Sequence, residues 1–162
     1  MNIEIKQLNI NDIDLLIQLR MEVLADVFKN DFEKMTDTEI EKLKQENRNY
    51  YLNQLTNEGH IVCVVYNEKN IIGCGGMCLY NEMPSPDNIN GKCAYLMNIY
   101  VKPNYRKQGI GKKICSWLIE QAKSKNITKI YLETSDNAKS MYKKLGFEEM
   151  KNYLMYRKNG NV

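Results

Sequence analysis

The spacing of apolar positions changes once in the second half of the chain, and that change predicts a strand followed by a helix. Residues Cys93–Val101 are apolar at almost every position, which indicates a strand buried on both faces. One face of that strand carries Tyr95, Met97, Ile99 and Val101, and the other carries Leu96, Asn98 and Tyr100. Pro103 ends the strand, because proline cannot donate a hydrogen bond to a sheet ladder.

The predicted helix begins inside a glycine pair, Gly109 and Gly111. Its apolar residues recur at helical spacing through Ile110, Ile114, Trp117, Leu118 and Ala122. The first N–H groups of a helix lack intrahelical partners, and the helix dipole favours an anion beside them. Glycine lets a ligand approach the backbone closely, and basic residues flank the pair. We therefore predict a phosphate or pyrophosphate site formed by Arg106, Lys107, Gln108, Gly109, Ile110, Gly111 and Lys112.

Two other glycine motifs fit this segment less well. A Walker A loop would need a glycine at position 106 and a serine or threonine at position 113, where arginine and lysine stand. A dinucleotide fingerprint that starts at Gly109 lacks its third glycine, since Ile114 occupies that position. Glu133 lies near the acidic position of that fingerprint, so a nucleotide-binding alternative stays open.

The rest of the chain completes a pattern of one α/β domain over residues 1–162, with an ordinary 43% of hydrophobic and 27% of charged residues. Further strands are predicted at Ile3–Gln7, His60–Tyr66, Ile71–Tyr80, Lys129–Thr134 and within Phe147–Tyr156. Other helices begin at the caps Asn11, Thr36 and Ser135 or Asp136. A helix connects Cys93–Val101 with Lys129–Thr134, which predicts that these two strands are parallel.

Charge and cysteine usage exclude several classes of protein. A net charge of +3 is too small to argue for nucleic acid or an anionic membrane, so nucleic-acid binding is only a minor alternative. The cysteines are interpreted as reduced core residues: Cys63, Cys74, Cys78, Cys93 and Cys115. The single histidine, His60, is interpreted as a strand-edge residue, so no metal site and no histidine-based triad are expected. Without a leader-like N-terminus or a long apolar run, a soluble cytoplasmic protein is expected.

Two motifs, in this order, resemble those of a known superfamily. The first is R-x-x-G-x-G at Arg106, Gly109 and Gly111, directly after the strand that ends near Val101. The second is A-x-x-x-Y-x-x-x-G-F, which runs from Ala138 to Phe147. Together they are similar to the cofactor signature and the late helix of the GNAT superfamily of acetyl-CoA-dependent N-acetyltransferases.

This resemblance implies both an architecture and a reaction. The fold would be α/β, with a mixed six- or seven-stranded sheet flanked by about four helices. The chain would be a single N-acetyltransferase domain that moves an acetyl group from acetyl-CoA to a primary amine by direct attack in a ternary complex. Backbone groups of Ile99, Tyr100 and Val101 would hold the pantetheine, and Ser135 and Asn137 would lie along the cofactor. Tyr142 would face the thioester sulfur and act as the acid for the departing thiolate.

The same resemblance leaves the general base and the acceptor open. Tyr95 stands where some relatives carry a catalytic glutamate, so the candidates for the base are Glu22, Glu82, Glu133 or a water. The acceptor is a small molecule or a protein amine, and the loop Tyr80–Lys92 and the segment Phe28–Met35 are predicted to shape its pocket. The alternative functions are a non-catalytic acyl-CoA-sensing module and a nucleotide-dependent enzyme. A homodimer is one of the oligomeric states left open.

Overall fold

A five-stranded sheet forms the centre of the computed structural model, which describes residues 2–156. The strands are β1 Ile3–Leu8, β2 His60–Asn67, β3 Asn70–Asn81, β4 Lys92–Val101 and β5 Lys129–Leu132. They lie side by side in chain order. The first four pair antiparallel, and β4 pairs parallel with β5, as the sequence predicted. The sheet is therefore mixed, and its parallel pair lies at one edge.

Residues 2–156 form five α-helices. They are α1 Ile13–Val27, α2 Lys29–Phe32, α3 Asp37–Thr56, α4 Ile110–Ser124 and α5 Asp136–Lys144. All of them except the four-residue α2, which has no buried residue, pack on the two faces of this sheet. Thr36 caps α3 with the predicted capping box, in which Glu39 N–H donates to Thr36 Oγ1 at 3.3 Å. The cap predicted at Asn11 lies two residues earlier, where Asn9 caps the short 3-10 turn that leads into α1.

Both faces of the sheet are buried, because successive side chains of each central strand point into opposite layers of the core. On β2, Ile61, Cys63 and Val65 pack towards α4 and α5, whereas Val62 and Val64 pack towards α1 and α3. The core is thus two layers of apolar side chains, one on each side of the sheet. α4 supplies the first layer from its buried stripe, which includes Ile110, Ile114, Cys115, Leu118 and Ala122.

The expectation of six or seven strands and about four helices is wrong for the described part of the chain. The strands predicted within Phe147–Tyr156 do not form there, and β5 is the last strand. Phe147 instead packs back onto α5, where its N–H donates to Tyr142 C=O at 3.1 Å. The stretch after it, Glu148 to Asn152, is exposed and has three charged residues without apolar alternation, so it has no buried face to hold against β5. The basic tail beyond Tyr156 lies outside the described residues.

Within residues 2–156, no helix is long and apolar enough to cross a membrane. The same residues contain no group of three or more His, Cys, Asp and Glu side chains arranged to hold a metal ion. All five cysteines are free thiols, and Cys78 is the one that is not fully buried.

Candidate active site

β4 and β5 separate halfway along β4, and we call this gap the fork. The two strands pair only over Cys93–Leu96 and Lys129–Leu132. β4 continues to Val101, whereas the chain after β5 turns into α5. From Met97 onward, the edge of β4 that faces β5 therefore has no strand beside it among the described residues. Its backbone N–H and C=O groups are available to a ligand that binds in extended form.

The predicted cradle lies at the end of β4, where α4 begins. Gly109 caps the helix in the left-handed conformation, with φ of +78°, which favours glycine over other residues. A Cβ atom at Gly109 would meet nothing within 4 Å, so the space in front of the first turn is open. Lys113 N–H is bonded to Gly109 C=O at 3.1 Å, which leaves the N–H groups before it free for a ligand.

Gly111 has a packing role that the sequence did not predict. A Cβ atom there would lie 3.3 Å from Met141 Sδ and 3.9 Å from Val101 Cγ2. The absent side chain therefore lets α5 pack against the first turn of α4. This contact also fixes the helix that carries Tyr142 beside the cradle.

The charge of the cradle comes from lysine more than from the signature arginine. Lys107, Lys112 and Lys113 are exposed, and none of them forms an ion pair with a residue in the described range 2–156. Arg106 is bound to the protein, since its Nε donates to Val101 C=O at 2.9 Å and its Nη2 donates to Asp26 Oδ2 at 2.6 Å. The arginine thus ties the loop to β4 and to α1, while the lysines remain free for an anion.

Tyr142 lies on α5 in the layer between that helix and α4, with 7% of its surface exposed. Its ring contacts the edge of Phe147, with 5.7 Å between the ring centroids. Burial raises the pKa of Tyr142, and the neighbouring Cys115 thiol raises it further. The phenol is therefore protonated at neutral pH, as a proton donor must be.

A β-bulge in β4 corrects the faces predicted for that strand. Met97 pairs with Gly76 and Tyr100 pairs with Cys74, so two residues of β4, Asn98 and Ile99, stand opposite one residue of β3. The extra residue reverses the alternation after Met97. Leu96, Ile99 and Val101 consequently pack in the same layer under α4, although the sequence pattern placed Leu96 on the opposite face.

The three candidate carboxylates lie in different places. Glu82 Oε1 is 2.7 Å from Lys129 Nζ at the start of β5, and Glu22 Oε1 is 3.2 Å from Lys102 Nζ. Glu133 directly follows β5 at the fork and forms no ion pair within the described chain. It lies close enough to Tyr95 that its charge raises the pKa of that phenol, after the larger effect of burial. Glu133 is therefore the candidate that the structure brings to the fork.

The loop after β3, which the sequence predicts to shape the acceptor pocket, lies at the start of β4, at the opposite end of that strand from the cradle. Asn88 is buried inside it and donates to Glu82 Oε1 and to Lys92 C=O, each at 3.2 Å. Asn90 Nδ2 donates to Asn126 C=O at 2.7 Å, which fixes the loop against the far end of α4. The β4–β5 pairing lies between this loop and the fork. The segment Phe28–Met35, by contrast, follows α1 close to Asp26 and the Arg106 loop.

Sequence reasoning missed a buried polar cluster at the start of β2. His60 is only 5% exposed, and its Nδ1 lies 3.0 Å from Tyr50 Oη. Burial lowers the pKa of His60 to about 4, with a smaller contribution from the charge of Arg20. Both Tyr50 and Tyr51 pack edge-on against the imidazole. The sequence around His60 predicts only the start of a strand, and it does not indicate that α3 covers this residue.

A cleft of about 1210 Å³ follows the free edge of β5 and reaches the fork. Its lining includes Tyr95, Tyr131, Glu133 and Tyr142. A smaller cavity of about 440 Å³ lies at the other end of the sheet, near Gly59 and Ile127, and is lined in part by both ends of the loop Tyr80–Lys92. Tyr142 and Glu133 thus line one cleft, and the cradle lies next to the helix that carries Tyr142 through the contact of Gly111 with Met141.

A parallel strand pair that opens beside a free, basic helix start defines an α/β protein with a binding site for an extended phosphorylated ligand. The chain belongs to the Acetyltransferase (GNAT) family, whose model matches residues 22–147. This match includes α3, the fork, the cradle and Tyr142.

Individual relatives agree with that family. Thialysine N-epsilon-acetyltransferase of Bos taurus is 41% identical over 63 residues, which cover 37% of each chain. Glucosamine 6-phosphate N-acetyltransferase of Arabidopsis thaliana is 27% identical over 114 residues, which cover 69% of this chain and 70% of that protein. A predicted acetyltransferase of Clostridium acetobutylicum, solved with acetyl-CoA, superposes with a TM-score of 0.82 at 25% identity and 96% coverage of both chains. The chain thus spans well under half the length of the bovine relative.

Proposed function

We propose that this chain is a single-domain N-acetyltransferase that transfers an acetyl group from acetyl-CoA to a primary amine by direct attack in a ternary complex. The observation that carries the proposal is the junction of the fork with an open helix start at Gly109. One part offers backbone hydrogen bonds to an extended arm, and the other offers N–H groups and lysines to a pyrophosphate. The acetyl-CoA in the Clostridium acetobutylicum structure supports the same choice of cosubstrate.

The residues present fit that cosubstrate. The open space before Gly109, the free N–H groups of the first turn of α4 and the unpaired Lys107 and Lys112 would hold the pyrophosphate. The backbone of Ile99–Val101 would hold the pantetheine, and Ser135 and Asn137, exposed at the start of α5, would lie beside it. Arg106 supports the loop from behind through Asp26. Acetyl-CoA supplies an activated acetyl thioester.

Two side chains would manage protons in the reaction. Tyr142 is a protonated phenol beside the fork and would donate to the departing thiolate. Glu133 would take the proton of the amine, directly or through a water, since it is the candidate carboxylate that lies at the fork and is not held by a lysine. An amine acceptor agrees with the names of the relatives, whose acceptors are thialysine, glucosamine 6-phosphate and an alanine of a ribosomal protein.

Ligand-dependent melting and thiol release test this proposal together. Acetyl-CoA and CoA are expected to raise the melting temperature, whereas NAD and ATP are not, because the fork matches a pantetheine arm. A panel of amines with detection of free thiol then identifies the acceptor. Stabilisation by NAD or ATP alone would favour the nucleotide-dependent enzyme. Stabilisation by acetyl-CoA without thiol release for any amine would favour the acyl-CoA-sensing module.

A further inference from the structure

The bulge in β4 depends on a residue in an unusual backbone conformation. Asn98 has φ of +57°, the left-handed region that non-glycine residues rarely adopt, and it lies inside a strand. Such a conformation persists only where surrounding contacts determine it. The bulge separates the paired half of β4 from Ile99–Val101, whose backbone the proposed function assigns to the pantetheine.

Arg20 of α1 supplies the main contact to Asn98. Arg20 Nη1 donates to Asn98 Oδ1 at 2.8 Å, and Arg20 Nε donates to Asn47 Oδ1 of α3 at 3.1 Å. The Asn47 amide is itself oriented, because its Nδ2 donates to Leu43 C=O at 2.8 Å. One guanidinium therefore connects two helices to the bulge. The other polar contacts of Asn98 are weak, since its Nδ2 lies 3.9 Å from Cys74 Sγ and its C=O accepts from the same thiol at 3.8 Å.

No carboxylate of α1 forms an ion pair with Arg20. The three carboxylates of that helix are paired with other cations: Asp14 with Arg48, Glu22 with Lys102 and Asp26 with Arg106. Arg20 forms no ion pair with any residue in the range 2–156. A half-buried guanidinium without a carboxylate gains its stabilisation from the two amide oxygens, and it holds them in one geometry because its donors form a rigid planar group.

We propose that Arg20 is a positioning residue, which holds Asn98 in the left-handed bulge and thereby sets the direction of the free β4 edge at Ile99. This inference rests on the proposed function for its catalytic consequence. In that function the backbone of Ile99 begins the edge that holds the pantetheine, and we assign its N–H group as the donor to the thioester oxygen. Donors to a developing negative charge lose most of their effect when they are misplaced, so a loosened bulge lowers turnover more than it lowers binding.

Arg20→Met removes both hydrogen bonds and keeps the length of the side chain. We expect kcat to fall about tenfold or more, with little change in the KM for acetyl-CoA. Arg48→Met is the matched control, since it breaks another contact between α1 and α3 and should leave kcat unchanged. In the free protein, hydrogen exchange of the backbone amides of residues 97–101 is expected to be faster for Arg20→Met than for the wild type.

Asn98→Gly separates the positioning role from a general loss of packing. Glycine adopts the left-handed conformation without help, so Arg20→Met should cost less than about twofold in kcat when Asn98→Gly is already present. A full additional loss in that background would mean that Arg20 does not act through Asn98. Unchanged exchange at residues 97–101 in Arg20→Met would overturn the inference whether or not the chain is active. A wild-type protein that neither binds acetyl-CoA nor releases thiol would refute the proposed function instead.

Discussion

Arg106 Nη2 and Asp26 Oδ2 lie 2.6 Å apart, which joins the signature loop to the last turn of α1. The guanidinium also stands 5.6 Å from the centroid of the Tyr100 ring, at the end of β4. The arginine therefore has protein partners on two sides. Its role in this structure is to hold the loop between β4 and α4 in the shape that exposes the start of the helix.

The ion pair between Arg106 and Asp26 predicts that removing a negative charge weakens the binding of an anionic ligand. Asp26→Asn removes a negative charge near an anion site, so a purely electrostatic effect would tighten acetyl-CoA binding. We expect weaker binding, by about two- to fivefold, because an exposed ion pair of this kind is worth up to about 1 kcal/mol of loop order. Calorimetric titration measures the change. Asp14→Asn, at the other end of the same helix, is the control and should bind as the wild type does. Tighter binding for Asp26→Asn would contradict the role given to Arg106.

Gly109 gives a test of the cradle in which charge and size are separated. Gly109→Asp places a carboxylate in the open space before α4, and we expect the acetyl-CoA affinity to fall at least about tenfold. Asparagine has nearly the same size as aspartate and tolerates a positive φ about as well as aspartate does. Gly109→Asn is therefore the matched control for Gly109→Asp. Its affinity should fall much less. Equal losses for the two variants would mean that filled space, and not an anion, explains the effect.

Tyr142→Phe tests the proposed acid. It removes the hydroxyl and keeps the ring against Phe147, so the melting temperature should change little while kcat falls about 10²-fold. The raised pKa of Tyr142 also means that the phenol keeps its proton above the usual titration range of tyrosine. We therefore expect kcat in the wild type to show no loss from this group up to about pH 10. A lower melting temperature with kcat preserved would make Tyr142 a structural residue.

The local part of this site could be predicted from sequence, because it depends on spacing along one segment. The change of period at Gly109 and the cap at Thr36 are each encoded in a few neighbouring residues, and the parallel pairing of β4 with β5 follows from the single helix between them. The bulge at Asn98 could not be predicted in this way. The extra residue shows only as a shift in the register between β4 and β3, and the spacing of apolar residues along β4 alone does not reveal it.

Long-range partners explain the other differences. The acceptor of Arg106 is Asp26, which is 80 positions earlier, and nothing in the loop sequence identifies it. The two glycines of the signature look equivalent in sequence, but Met141 of α5 lies against one and open space lies against the other. The strands expected after Phe147 required a partner edge and a buried face together, and the segment offers charged residues at that point.

His60 predicts a pH dependence of stability. Its pKa is lowered to about 4 in the folded protein from an ordinary value near 6.5, chiefly by burial. The unfolded chain then binds a proton that the folded protein does not, so stability is complete above about pH 6.5 and decreases as the pH falls towards 4. Between pH 7 and pH 5 the loss should be about 2 kcal/mol. His60→Gln should show a shallower slope in urea unfolding over that interval. The same slope in both proteins would show that the histidine is not responsible.

Glu133 and Glu82 form a matched pair for finding the general base, since both are glutamates near β5 and the sequence proposed both. Glu82 is held by Lys129 at the start of the strand, and this contact lowers its carboxyl pKa. Glu133 follows the end of the strand, at the fork beside Tyr95.

Glu133→Gln keeps the shape of the side chain but cannot accept a proton. We therefore expect kcat/KM for the amine to fall by about 10²- to 10⁴-fold, which is the usual contribution of general base catalysis. Glu82→Gln should keep kcat/KM and lower the melting temperature, because it breaks the contact that fixes the loop to β5. Steady-state kinetics at saturating acetyl-CoA, with melting curves for both variants, separate these outcomes. If Glu82→Gln loses more activity than Glu133→Gln, the amine loses its proton at the other end of β5, and the fork is not the place of acetyl transfer.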